Sequence, residues 1–137
     1  MELLITMSTG TNPQETAAAI EFNRKRNAGL YNLTLRGTRG TPYPSLMEIV
    51  MPDFMVTPVN LHYSTNCWLE DTDIIDSGNH PVSSSCSTHV TVRGCTLDGA
   101  WNKGTGRRGY FQVQSNRFLI AHNHIRRHRP AEGALRG

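Results

Sequence analysis

The sequence has no apolar run that could cross a membrane, for nothing in it approaches the roughly 18 uninterrupted apolar residues that a spanning helix needs. No membrane partner is expected. No secretory leader is expected from Met1-Glu2-Leu3-Leu4-Ile5-Thr6-Met7, which has no basic n-region and whose apolar stretch is short and soon interrupted. Either the protein is intracellular or the chain lacks its true N-terminus. Cysteine is scarce. The three residues Cys67, Cys86 and Cys95 are an odd count without CxxC spacing, which argues against a disulfide framework and a zinc site. All three are read as small buried residues. Charge of either sign is modest, and a formal net charge of +3 is too small to single out nucleic acid. An acidic polysaccharide would satisfy it equally well. No cofactor motif is present. Lys103-Gly104-Thr105-Gly106-Arg107-Arg108-Gly109 superficially resembles a phosphate loop, but it has neither the spacing nor a following amphipathic helix, so a nucleotide site is rejected.

What the chain does have is repetition. Its 137 residues suit one domain, and 37% hydrophobic residues suit a folded one. Ser64 to Ile74 aligns without gaps on Ser87 to Leu97, 23 residues further on, and that segment aligns on Ser115 to Ile125 with an offset of 28 residues. A more divergent fourth copy runs from Ala28 to Leu35. Apolar or small residues recur in fixed columns: Ala28, Cys67, Val90 and Phe118; Leu30, Leu69, Val92 and Ile120; Leu35, Ile74, Leu97 and Ile125. Their period of two makes them the inward side of short strands. Leu33, Thr72, Cys95 and Asn123 form a further inward or turn column. The column Asn32, Asp71, Gly94 and His122 collects residues that tolerate left-handed backbone, so a sharp bend belongs there.

A further strand is predicted ahead of each copy, near Ala18 to Phe22, Val59 to Tyr63, Val82 to Cys86 and Tyr110 to Val113. One repeat is then strand, turn, strand, bend, short strand. A unit of about 22 residues matches one coil of a parallel β-helix, in which stacked coils bury a continuous core. The expected fold is therefore all-β, a right-handed parallel β-helix of about four rungs and a fragment of a longer solenoid. Residues 1–17 are expected as an irregular lead-in, 18–129 as rungs with a long loop at 38–58, and 130–137 as a tail. A flat antiparallel sandwich with similar turns is the alternative, but it would not need this register from copy to copy.

Asn27-Ala28-Gly29-Leu30-Tyr31-Asn32-Leu33-Thr34-Leu35, Asn66-Cys67-Trp68-Leu69-Glu70-Asp71 and Thr88-His89-Val90-Thr91-Val92-Arg93-Gly94-Cys95 resemble the pectin lyase-like superfamily of right-handed β-helices. The resemblance covers roughly residues 18–129. It implies an elongated, mostly secreted protein that acts on polysaccharide as a lyase or hydrolase, or binds glycan as a tailspike or adhesin does. That superfamily's calcium-binding aspartate cluster, catalytic arginine motif and paired-aspartate motif find no counterpart here.

Because insertions fall at one place in the repeat, the loops should line one side of the solenoid and form its binding wall. Substrate contacts are assigned to Trp68, Tyr31, Arg93, Trp101, Lys103, Arg107 and Arg108. An outward indole is a platform for a sugar ring, though coverage by the long loop would serve it as well. For acid–base chemistry the candidates are His124, Arg126 and His128, which share a strand face, with Asp98 or Asp73. Arginine pairs with a sugar carboxylate, and imidazole moves a proton near neutral pH. Carboxylates on neighbouring strands can approach the roughly 5 to 9.5 Å separations of glycoside hydrolysis. The bland alternative for all of these is a charged, solvated surface. No metal site is expected beside these arginines. The expected partner is polysaccharide or oligosaccharide, and the open solenoid ends require cover from missing sequence or another chain.

Overall fold

The structure, a computed structural model, describes residues 2–6, 18–38, 57–77, 80–100 and 111–128. Every regular element among them is a strand: β1 (Glu2–Thr6), β2 (Ala18–Asn23), β3 (Gly29–Tyr31), β4 (Thr34–Thr38), β5 (Thr57–His62), β6 (Thr65–Glu70), β7 (Asp73–Ser77), β8 (Val82–Arg93), β9 (Thr96–Ala100), β10 (Phe111–Ala121) and β11 (His124–His128). All strand pairings are parallel. One sheet has the order β1-β4-β7-β9-β11, and the other the order β2-β5-β8-β6-β3 with β10 also on β8. On one edge the long β8 pairs with β5 along Val82 to Ser85 and with β6 along Thr88 to Arg93, and on the other with β10. This all-β arrangement of parallel strands in curled sheets fits a β-solenoid.

The inward columns align as the repeats require. Leu69 stands between Leu30 and Val92, and Val92 stands beside Ile120 on β10. On the other sheet Leu35, Ile74, Leu97 and Ile125 form a continuous row. Leu69, Val92, Ile74 and Leu97 are fully buried, the outcome expected when like side chains stack between two sheet faces. The row also extends where no repeat was expected. Residues 2–6, assigned to an irregular lead-in, form β1 and set Leu3 beside Leu35. Residues 7–17, most of the 38–58 loop and the 130–137 tail lie outside the described residues.

Backbone conformation carries the same period. Among the described residues every positive φ falls in one of four ladders: Arg24, Tyr63 and Cys86; Asn27, Asn66, His89 and Arg117; Asn32, Asp71, Gly94 and His122; and Asp76, Gly99 and Arg127. The third is the bend column expected from the sequence. Residues in the ladders also hold their repeats together. Arg24, Tyr63, Asn27, Asn32, Asp71 and Gly94 each donate a backbone N–H to the carbonyl just ahead of the matching corner in the next repeat, at 2.9 to 3.2 Å. The parallel bonding thus continues through the bends, which offsets the strain of left-handed non-glycine residues. At Gly94, with φ of 64°, a Cβ would stand 2.6 Å from Asp71 Oδ1, so glycine suits this corner for conformation and space alike.

Inside the corners, polar side chains satisfy inward-turned amides. Ser64 N–H donates to Ser87 Oγ at 3.0 Å, Ser87 N–H to Ser115 Oγ at 3.2 Å, and Lys25 N–H to Ser64 Oγ at 3.2 Å. Asn123 accepts from Cys95 N–H and donates to Val92 C=O, both at 2.9 Å. Such pairing matters because a buried amide left without a partner costs about 1 to 3 kcal/mol.

The cysteines divide. Cys67 and Cys95 are buried, and burial pushes the Cys95 thiol above its ordinary range. Cys86, also expected inside, is exposed, because it sits on a left-handed corner with φ of 51° and not on an inward strand position. Titration of the native protein with a thiol reagent is expected to modify Cys86 rapidly and the other two only on unfolding. Equal reactivity of all three would contradict this placement.

Candidate functional site

The outward face of β3, β6, the second half of β8 and β10 presents two rows, Gly29-Trp68-Thr91-Leu119 and Tyr31-Glu70-Arg93-Ala121. Trp68 is half-buried because it rests on Gly29. A Cβ there would meet three indole ring atoms at the nearly equal distances of 2.3, 2.4 and 2.5 Å, so one ring face covers the glycine backbone. The opposite indole face is directed away from it. Tyr31, on the neighbouring strand and two positions further along, is 66% exposed. Arg93 Nη2 and Glu70 Oε1 pair at 2.9 Å in the second row. Three of the expected substrate contacts, Trp68, Tyr31 and Arg93, therefore share one surface. Trp101, Lys103, Arg107 and Arg108 lie outside the described residues.

On the other sheet the expected acid–base group comes together only in part. Asp98, read from the sequence as an outward acid–base candidate, stands between Ile75 and Arg126 in register. It is buried. Arg126 Nη2 lies 3.3 Å from Asp98 Oδ2, and Arg127 Nε lies 2.5 Å from Asp98 Oδ1. Arg127 also reaches Asp76 Oδ1 at 3.3 Å. Alternation alone would send Arg127 to the opposite face from Arg126. Its φ of 49° breaks the alternation and brings both guanidinium groups to one carboxylate.

His124 is exposed and belongs to a different row, with Thr96 between it and Asp73. Two strand spacings separate those backbones, about 9.6 Å. His128 pairs with Ala100 along the backbone, and its side chain lies outside the described residues. Asp73 is half-buried and one strand and two positions removed from Asp98. Among the described residues no group of three or more His, Cys, Asp or Glu is placed to hold a metal ion.

A third surface was not anticipated. On the outward side of β2, β5, β8 and β10, Asn23, His62, Ser85 and Gln114 form one row. His62 Nδ1 and Ser85 Oγ lie 2.5 Å apart. The next corner adds Tyr63, whose ring meets the His62 ring edge-on at 4.3 Å and lies 5.5 Å from the Arg24 guanidinium. The clue in the sequence was the same 23-residue offset, which sets Ser85 opposite His62 once the alignment is extended into the preceding strands.

No protein-family model matches the chain, and neither the curated proteins nor the solved structures compared with it give a match.

Proposed function

We propose that the chain forms about four rungs of a right-handed parallel β-helix, resembling the pectin lyase-like proteins, and that it binds polysaccharide on the Trp68 flank. The handedness follows from strand twist, which makes about 98% of connections between parallel strands of one sheet right-handed. The observation that carries the binding reading is the indole of Trp68, shelved on Gly29, with Tyr31 on the same face two positions along the neighbouring strand. Flat aromatic faces on a rigid sheet match the apolar face of a sugar ring, and the neighbouring Glu70 and Arg93 suit its hydroxyl or carboxylate groups. A polysaccharide ligand goes with an extracellular or cell-surface setting.

Binding fits better than lyase or hydrolase chemistry. Asp98, the carboxylate that chemistry would use beside Arg126, is engaged by two arginines. The end of the solenoid at β10 and β11 exposes Ile120 and Ile125, 45% and 46% accessible, and a further coil or another chain would cover them.

The test is calorimetric titration with acidic and neutral polysaccharides. Trp68→Ala is expected to weaken binding about tenfold, the equivalent of 1.4 kcal/mol, as one lost stacking platform should. Gly29→Val, which displaces the indole without removing it, should weaken it similarly. Binding unchanged in both variants would refute the assigned surface. Release of unsaturated, ultraviolet-absorbing products would instead favour eliminative chemistry of the kind general bases perform.

A further inference from the structure

We infer that His62 and Ser85 form a base and nucleophile pair that hydrolyses small carboxylic esters, acetyl esters foremost, on the outward face of β5 and β8. This reading is independent of glycan binding on the Trp68 flank. A serine hydroxyl is a weak nucleophile until a positioned base takes its proton, and the first structural requirement is hydrogen-bond contact between the two. Here Ser85 Oγ and His62 Nδ1 are 2.5 Å apart. With the other ring proton on Nε2, Nδ1 accepts from the hydroxyl.

The pair is held from behind. The His62 carbonyl accepts the Arg24 N–H at 2.9 Å, and the Ser85 carbonyl accepts the Tyr63 N–H at 3.1 Å and the Ser87 hydroxyl at 3.0 Å. Both residues thus sit on a bonded sheet and not on a loop, which limits the motion that would separate them. Ser64, Ser84 and Ser87 are buried within the fold, whereas Ser85 and His62 are half-exposed and open to a ligand. Asn23 stands next to His62 in the row and Gln114 next to Ser85, so amide groups flank the pair on both sides. Side-chain amides are suitable donors to the oxyanion of an acyl-transfer intermediate.

In the reaction, Ser85 Oγ bonds to the ester carbonyl carbon while its proton passes to His62 Nδ1. The bond from that carbon to the alcohol oxygen then breaks, and His62 returns the proton to the departing alcohol. Water attacks the acyl-serine, giving its proton to His62, and the carboxylic acid leaves as Ser85 Oγ regains a proton. The net change is ester plus water to acid plus alcohol. An outward row on a sheet face suits a small acyl group carried on a larger molecule lying across the strands.

The intact chain should be treated with a fluorophosphonate probe, the adduct located by peptide mass mapping, and acetyl ester turnover followed with p-nitrophenyl acetate. The expected result is a single adduct on Ser85, with the labelling rate about 100-fold lower in His62→Phe, as loss of a general base predicts. Ser85→Ala should abolish both labelling and turnover. Ser83→Ala, on the same strand and face, should retain them. No adduct, an adduct on another residue, or labelling indifferent to His62→Phe would overturn the inference. Mapping on the unaltered chain decides the matter even if a variant fails to fold.

Discussion

Leu69→Ala is expected to destabilise the protein by about 3 kcal/mol, read as a lower urea midpoint with little change in slope. Leu69 is fully buried at the middle of an inward row, with Leu30 on one side and Val92 on the other. Truncation there removes apolar area and leaves a cavity that two bonded neighbouring strands cannot collapse to fill. Since whole domains are stable by only about 5 to 15 kcal/mol, the loss should be easily measured. Ile120→Ala provides the contrast. It occupies the same column but is 45% exposed at the end of the stack, so its truncation should cost about 1 kcal/mol or less. Equal effects at both positions would mean that the last repeat is covered in solution.

The second large effect is expected at Asp98. Asp98→Ala leaves the guanidinium groups of Arg126 and Arg127 together without the carboxylate that lies between them. Removing one member of a fully buried ion pair costs about 3 to 5 kcal/mol, and the half-exposed arginines reduce this to about 2 kcal/mol. A neutral or stabilising effect of Asp98→Ala would instead be the behaviour of a residue kept for chemistry at the expense of stability.

The inward columns were legible in the sequence because burial on one side of a strand leaves a period of two, and stacking repeats it at matching offsets. Leu69, Val92 and Ile120 carry that signal in their side chains. Asn32, Asp71 and Gly94 likewise advertise their bend, since each is of a type that favours left-handed backbone. Arg24, Tyr63, Cys86 and Arg117 adopt the same conformation without such a preference. At Arg24 and Tyr63 a bond to the next repeat holds it, and a bond to a distant repeat leaves no mark on the local residue type.

The same limit explains the sites. Register predicted that Trp68 and Tyr31 share a face, and they do. It also placed Asp98 outward, but direction alone does not say which neighbours will cover a side chain. The left-handed Arg127 reaches Asp98 from a position that simple alternation would have excluded. Glu2 to Thr6 escaped notice because five residues are too few for a periodic signal to stand out.

The most direct measurement of the stacking itself is the pattern of backbone proton contacts around Val92 in the nuclear Overhauser spectrum. Parallel in-register repeats predict contacts from Val92 to both Leu69 and Ile120, 23 residues before it and 28 after it. Antiparallel contacts, or a Val92 that meets only residues close to it in sequence, would contradict the fold and remove the surfaces built on it.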